Sequence, residues 1–333
     1  MDERFARQVL LPQVGTEGQK RLGEKRVLVA GCGALGTHTA EALLRAGVRR
    51  LVLVDRDVVE VHNLHRVALF APGDVGRPKA AAAAEKLRTL DPQAQIEVHV
   101  AHLDGPLAEE LVPQVDLVVD GLDNLESRYV VNEACVKYER PWIYTAVLAT
   151  YGLLLPVWPG RGPCLRCLFP NPPAPGAIPT CAEAGILGPV PKALAALQAA
   201  AALRLLLEGP AAPAGTLLYL DLWGLRIQTV EVKRNPACPT CVSRDFPFLR
   251  EASRTATLCG DVVQILPRAK TSLDLGALAA RLAPLGRAEL RHGLLFLEVE
   301  GVHLTVFPDG RALVKGLRDP NRAQALYDQY LAR

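Results

Sequence analysis

The chain has 333 residues, of which 50% are hydrophobic and 22% charged, and its net charge is +3. That length suits about two domains of roughly 150 residues each, and the composition excludes a disordered chain. So small a charge gives no reason to expect nucleic acid as a partner, and no run of about 18 apolar residues is free of charge or proline, which argues against a membrane-spanning helix.

Met1-Asp2-Glu3-Arg4 begins no secretory signal, so a cytoplasmic protein is expected. There, eight cysteines are expected as metal ligands, catalytic thiols or buried apolar residues rather than disulfides. The first 25 or so residues mix apolar and basic positions, including Arg4, Arg7, Lys20 and Arg21, and predict an arm of one or two short helices. Val27–Ala30 reads as a buried strand, Thr37–Ala46 as a helix stopped by Gly47, and Leu51–Asp55 as a second strand, a βαβ order. Pro78 suits the first turn of a helix running to Leu90. Strands at Ile96–Val100, Val115–Asp120 and Trp142–Ala149 follow, with helices near Pro106–Leu111 and Ser127–Glu139. This alternation predicts an α/β fold, a Rossmann-like doubly wound and mostly parallel sheet with helices on both faces.

After Tyr151 the sequence turns Pro- and Gly-rich, and residues 171–176 read as a mobile crossover loop. Lys192–Leu207 is expected as a long apolar helix, and Leu217–Asp221 with Leu225–Lys233 as a late antiparallel pair. The first domain is placed at residues 1–245. Residues 246–254 fall in a charged, irregular stretch that reads as a linker, and residues 255–333 as a small α+β module.

In Gly31-Cys32-Gly33-Ala34-Leu35-Gly36 the first Gly allows a tight turn, the second lets backbone approach a phosphate, and the third lets helix and strand pack closely. The helix that follows presents its N-terminus to an anion. Asp55, some twenty residues on, is placed to accept from a ribose hydroxyl. Alone, these features describe a nucleotide site, and an NAD-dependent oxidoreductase is one reading of them. Arg66 and Lys79 favour ATP instead: one offers a planar fork for phosphate oxygens, the other a point charge at a helix start. Asp123, just past a strand, is a hard oxygen ligand suited to Mg²⁺. Each residue taken singly also reads as a surface charge or loop cap.

Cys164-Leu-Arg-Cys167 and Cys238-Pro-Thr-Cys241 are two C-x-x-C knuckles whose four thiolates suit a closed, structural Zn²⁺ site, with buried free thiols or a disulfide pair as the alternative. Cys181 stands apart, as a thiol open to catalytic chemistry or inert. Cys32, Cys135 and Cys259 read as small buried hydrophobes.

Arg4-Phe-Ala-Arg7-Gln-Val, the glycine turn, Val54-Asp55-Arg-Asp57, Asn63-Leu-His-Arg66, Gly76-Arg-Pro-Lys79, Asp123-Asn124 and Thr180-Cys181-Ala-Glu-Ala-Gly185 together resemble the ThiF/MoeB/HesA family, relatives of the ubiquitin-activating enzymes. The resemblance extends from residue 1 to about 245. It implies ATP-dependent adenylation of the C-terminal glycine of a small ubiquitin-like sulfur-carrier protein ending in Gly-Gly, ahead of thiocarboxylate formation. It also implies that Gly33, Asp55, Asp57, His62, Asn63, Leu64, His65, Arg66, Lys79, Asp123 and Asn124 line the site for ATP or its metal. Arg7 resembles an arginine that reaches the phosphates of a partner subunit, implying a homodimer. His62 and His65 stand where the family commonly has Ser and Gln, so no histidine-specific chemistry is expected. Under the resemblance Cys181 would attack the acyl adenylate to form a thioester, exchange persulfide with a sulfur donor, or be inert; that donor would be a cysteine desulfurase or a sulfurtransferase. A binding module for a ubiquitin-like protein that has lost ATP chemistry is the non-enzymatic alternative, and tethered docking of carrier or donor is the expectation for residues 255–333.

Overall fold

In the first half of the chain, helix and strand alternate as the apolar pattern requires. The computed structural model runs through α1 (Gly15–Glu24), β1 (Arg26–Ala30), α2 (Ala34–Arg45), β2 (Arg50–Val54), α3 (Lys79–Leu90), β3 (Gln95–His99), α4 (Gly105–Leu111), β4 (Leu117–Asp120), α5 (Leu125–Lys137) and β5 (Trp142–Leu148). Two short 3-10 turns, Glu3–Phe5 and Gln8–Leu10, precede α1. Then come β6 (Tyr151–Val157), α6 (Leu165–Leu168), α7 (Cys181–Ala184), α8 (Pro189–Glu208), β7 (Thr216–Asp221), β8 (Arg226–Glu231) and α9 (Pro247–Arg250). The structure describes residues 2–172, 181–250, 255–257, 262–267, 271–317 and 319–331. Most of the expected crossover loop, Cys259 and the side chain of Cys181 lie outside the described residues. The chain divides into two units, one formed by residues 1–179 and 184–251, the other chiefly by residues 252–333.

The first unit holds one sheet of order β3-β2-β1-β4-β5-β6-β7-β8. Its strands are parallel from β3 to β5 and antiparallel from β5 outward, a Rossmann-like sheet with a late antiparallel extension. Both faces are covered, so the parallel strands read as unbroken apolar runs. Val27, Val29, Leu51 and Leu53 pack into one core with side chains of α2, α3 and α8, and Leu28, Val52 and Val118 into another with α4 and α5.

β6 is absent from the sequence expectation. Gly152 and Pro156 punctuate its apolar run, yet the strand returns on β5 through Ala149 at φ 49°. A Cβ on Gly152 would come within 2.5 Å of the Ala146 carbonyl oxygen, so the glycine permits the pairing. α8 contains the long apolar helix expected at Lys192–Leu207, and residues Pro189–Ala211 are long and apolar enough, by length and composition alone, to cross a membrane. Pro189 and Pro191 sit in its first turn, where a missing N–H costs nothing, so they do not interrupt the run. α8 packs on α2, β5 and β6 with Val190, Leu194, Ala199, Ala202 and Leu205 buried, the placement of a core helix.

The second unit contains β9 (Thr255–Thr257), β10 (Val262–Ile265), α10 (Leu275–Leu282), β11 (Arg287–Arg291), β12 (Leu294–Val299), β13 (Val302–Val306), β14 (Ala312–Lys315) and α11 (Pro320–Tyr330). Its sheet is antiparallel with order β11-β12-β13-β14-β10-β9. Inward residues of alternate positions, such as Leu295, Leu297, Leu304 and Val306, pack with Leu278 of α10 and Leu326 of α11. β11, Arg-Ala-Glu-Leu-Arg, is an exposed polar edge strand, a composition that hides it from hydrophobic patterning.

The stretch expected as linker is docked as far as Arg250. Leu249 is buried, Phe248 stacks on Tyr129 at 4.8 Å between ring centroids, and Gly105 lets the backbone of Leu249 approach α4. Beneath it lies Glu133 of α5, fully buried, which accepts from the Leu249 N–H at 3.2 Å and faces Arg166 at 3.7 Å. Burial pushes the Glu133 carboxyl up to about 7, against the opposing pull of those backbone N–H groups and of Arg166. A carboxyl raised from 4.5 to about 7 contributes stability that is full below the lower value and is lost as pH rises through the upper one, up to about 3 kcal/mol. Glu133→Gln keeps an acceptor for Leu249 without the charge. Its melting temperature should exceed that of the wild type above pH 7 and approach it near pH 5; parallel melting curves across that range would refute the buried charge.

Candidate active site

Three glycines set the geometry of the turn between β1 and α2. Gly31 has φ 92°, and a Cβ there would lie 2.5 Å from the Gly121 carbonyl oxygen. A Cβ on Gly36 would lie 1.8 Å from the Gly31 carbonyl oxygen, and one on Gly121 would lie 2.6 Å from that same oxygen. Backbone therefore packs on backbone where β1, α2 and the end of β4 meet. Gly33 differs: the nearest atom to a Cβ there is 4.0 Å away, so the protein has room for a side chain. What its absence leaves open is the approach to the N-terminus of α2, whose first N–H groups have no acceptor within the helix.

Charged groups gather at the same edge of the sheet. Asp55 accepts from the Cys32 N–H and the Asp57 N–H, both at 2.7 Å, so the acid that follows β2 also braces the glycine turn. Burial and the neighbouring Asp57 raise its pKa, while Lys79 and the two N–H groups act against them. Lys79, the first residue of α3, reaches Asp57 at 3.0 Å. Burial alone would depress its pKa, but Asp57, Asp55 and Asp123 outweigh it, and the ammonium is held well above the ordinary lysine value. Asp123 is 41% exposed and takes a 3.3 Å contact from Arg56 Nη2; Arg56 Nη1 lies 3.0 Å from His102 Nδ1. The strand order thus brings Asp55, Asp57, Lys79 and Asp123 together from segments spread over some seventy residues.

The turn from Glu60 to Arg66 borders these groups in sequence and is built by its own side chains. Asn63 is buried and accepts from the Glu60 N–H at 3.0 Å, closing a capping box. Arg66 donates to the His62 carbonyl at 2.6 Å, and His65 lies 3.0 Å from that carbonyl. His62 is exposed, 3.5 Å from Glu60, and Leu64 packs against the first core. Asn124 caps α5 by accepting from the Ser127 N–H at 2.8 Å. Arg7 is exposed near the N-terminus, on an arm that Arg4 ties to Asp91 at 2.9 Å, a carboxylate that Arg49 reaches from beside β2 at 2.7 Å.

Residues not singled out from sequence hold the Asp123 turn from below. Arg128 donates through Nε to Asp120 at 2.9 Å and through Nη2 to the carbonyls of Leu122 and Thr145 at 2.6 and 3.0 Å. Gln198 of α8 bonds the Asp120 carbonyl, Thr145 Oγ1 and Thr39 Oγ1. Arg56 and Gly121 sit inside stretches the sequence had flagged; for Gln198 the signal was a lone amide in an apolar helix.

Away from this edge, the Sγ atoms of Cys164, Cys167, Cys238 and Cys241 lie within 4.8 Å of one another, with Cys164 to Cys238 at 3.6 Å and Cys167 to Cys241 at 3.5 Å. Four sulfurs about 2.3 Å from a central Zn²⁺ would be spaced about 3.8 Å apart, so the donor set and its size fit zinc. The Asn235 N–H points at Cys167 Sγ from 3.4 Å, and hydrogen bonds from Cys164 and Cys241 hold the Cys167 thiol well below its usual range. Cys32 and Cys135 are buried.

Residues 5–240 match the ThiF family. Among curated proteins, the chain is 38% identical over 339 residues to the sulfur carrier protein ThiS adenylyltransferase of Bacillus subtilis, an alignment that covers 99% of this chain and 100% of the relative. It is 43% identical to the sulfur carrier protein adenylyltransferase of Thermus thermophilus, over 78% of this chain and 96% of that one. The solved structure of E. coli MccB with ATP shares the fold, with a TM-score of 0.63 over 72% of this chain and 75% of that one at 22% identity.

The glycines predict contrasting variants. Gly36→Ala collides with backbone and should lower the melting temperature by several degrees, a cost of 1–3 kcal/mol. Gly33→Ala meets no protein atom and should fold normally, yet bind ATP at least about tenfold more weakly in calorimetry. Unchanged ATP affinity in Gly33→Ala would remove this turn from the binding site.

Proposed function

The chain belongs to the ThiF family, and we propose that it is an adenylyltransferase which activates the C-terminal glycine of a ubiquitin-like sulfur carrier with ATP. The observation that carries the reading is Lys79, an ammonium held among Asp55, Asp57 and Asp123 beside the N-terminus of α2. A dinucleotide site has use for the turn and for Asp55, but none for a fixed cation and a half-exposed carboxylate at the same edge.

In the reaction, a carboxylate oxygen of the carrier's terminal glycine attacks the α-phosphorus of ATP. The bond from that phosphorus to the bridging oxygen breaks, pyrophosphate leaves with the bond electrons, and an acyl adenylate remains. The protein supplies no nucleophile; it supplies alignment and charge compensation. The N-terminus of α2, opened by Gly31, Gly33 and Gly36, faces the phosphates, while Asp55 has lone pairs left for the ribose. Lys79 and Arg66 offset phosphate charge, and Arg7 adds to them from a second copy in a homodimer. The turn His62–Arg66, with Asn63 and Leu64 at its base, walls the nucleotide, and Asp57 and Asn124 set Lys79 and the start of α5. Bound at Asp123, Mg²⁺ would neutralise the phosphate oxygens; one exposed carboxylate together with phosphates is a common ligand set for it.

The turn after β7 and the outer strand β8 expose Trp223, Leu225, Ile227 and Val230. Apolar exposure of this kind marks protein contact, and we assign it to the body of the carrier. Cys181 then attacks the acyl adenylate, forming a thioester as AMP leaves, or exchanges persulfide with a cysteine desulfurase or sulfurtransferase. Zinc on the four cysteines is structural, and the site of action is the cytoplasm.

Carrier-dependent ATP–pyrophosphate exchange should be measurable with purified protein and candidate carriers. Lys79→Ala and Asp123→Ala should reduce it about 100-fold or more, Trp223→Ala should raise KM for the carrier only, and Cys181→Ala should retain exchange while blocking sulfur transfer. Full exchange in Asp123→Ala would sink the role given to that carboxylate. Elemental analysis should find about one zinc per chain, lost in Cys164→Ser together with several degrees of melting temperature; a stable zinc-free wild type would refute the staple.

A further inference from the structure

α8 is apolar on its buried side except at one position. Among Val190, Pro191, Leu194, Ala195, Ala199, Ala202, Leu205 and Leu206, Gln198 is the one polar side chain, and it is fully buried. Its amide is used on both ends. Nε2 donates to the Asp120 carbonyl at 2.8 Å and to Thr145 Oγ1 at 2.8 Å, and Oε1 accepts from Thr39 Oγ1 at 2.6 Å. Those three partners belong to three different elements. Thr39 lies on α2, whose N-terminus is the phosphate-facing one; Asp120 is the last residue of β4; Thr145 lies on β5.

The Asp120 end of this network leads to Asp123. The Asp120 carboxylate accepts from the Leu122 N–H at 2.8 Å and from the Thr145 N–H at 3.2 Å, and Asn124 is fixed as the cap of α5. The backbone between Asp120 and Asn124 is thus held at both ends, and Asp123 projects from its middle. A helix core needs no amide for packing, and leucine would fill the same volume. An amide joined to the two segments that carry the phosphate site is explained if the spacing of those segments is what it sets. We propose that Gln198 is a positioning residue for adenylation, fixing the Asp120–Asp123 turn relative to α2 so that Asp123 meets the triphosphate in reactive alignment.

This inference rests on the adenylyltransferase reading above, and the experiment separates the two. If the wild type shows no carrier-dependent exchange, the reading fails and Gln198 is not at issue. With exchange established, the decisive protein is Thr39→Val/Gln198→Leu, in which the Thr39–Gln198 pair is replaced by apolar groups of similar shape while the Asp120 carbonyl and Thr145 Oγ1 lose their donor, so some loss of stability is expected and kcat is compared at a temperature where both proteins are folded. A misplacement of about 1 Å can cost about 100-fold in rate, so kcat for exchange should fall by about 10- to 100-fold. KM for ATP should change less than about threefold, because α2, Asp55 and Lys79 remain. A purely structural role would lower the melting temperature and leave kcat of the folded protein as it was. Wild-type kcat in the folded double variant overturns the proposal, as does a matched rise in KM without loss of kcat. Should the double variant not fold, Thr145→Val, which removes one acceptor of Gln198 at constant shape, must lower kcat at least about threefold; wild-type kcat there overturns the proposal equally.

Discussion

The sheet edge proposed to bind nucleotide depends on a contact in which no side chain takes part. Gly31, Gly36 and Gly121 bring the end of β1, the first turn of α2 and the end of β4 to backbone contact, closer than any Cβ would permit. Two consequences follow from that closeness. The helix N-terminus comes up flush with the strand ends, so its partial positive charge acts at the sheet edge instead of above it. Asp123, two residues beyond Gly121, is carried to the same place. Had any of the three been alanine, the helix would be pushed outward and the carboxylate would no longer share a site with the glycine turn.

Electrostatics then follows from packing. Asp55, Asp57 and Asp123 would repel one another at such close quarters, and burial makes Asp55 costlier still to ionise. Lys79 resolves this by standing among them, and its own desolvation is offset by three carboxylates. In the adenylyltransferase reading proposed above, an arrangement that balances in the resting protein would receive polyphosphate with little rearrangement, since the Lys79 cation, the α2 terminus and the Asp123 carboxylate already stand at one edge. Preorganisation of this kind is where catalysis without a protein nucleophile obtains its advantage.

Much of this was legible in the sequence because the signals are local. A glycine turn between an apolar strand and a helix, an acid some twenty residues later and a lysine after a proline each announce themselves, and the resemblance to a known family ordered them. The C-x-x-C knuckles were likewise readable, and the sulfur distances suit the ion their spacing suggested. What escaped notice was built from distant pieces or disguised by composition. β6 hid behind Gly152 and Pro156, and β11 behind its charges. Gln198 and Arg128 gain meaning only from carbonyls and hydroxyls on other elements, which no window of sequence displays. Arg56 lay within a recognised motif, yet its bond toward His102 comes from a separate strand connection.

The four-cysteine cluster has a further consequence for the order in which the protein can be assembled. Its two knuckles flank everything from α6 to β8, so α7, α8 and the hairpin β7–β8 all lie inside one closed loop. A ribosome must release the second knuckle before that loop can shut, and until then α8, the longest helix among the described residues, has one tethered end. If zinc fills the cluster as proposed, metal capture would come late in translation and tie the segment carrying α8 to a sheet whose first five strands are already made. On that reading, chains made without zinc would have the glycine turn and its sheet edge in place but their loop from Cys167 to Cys238 unclosed.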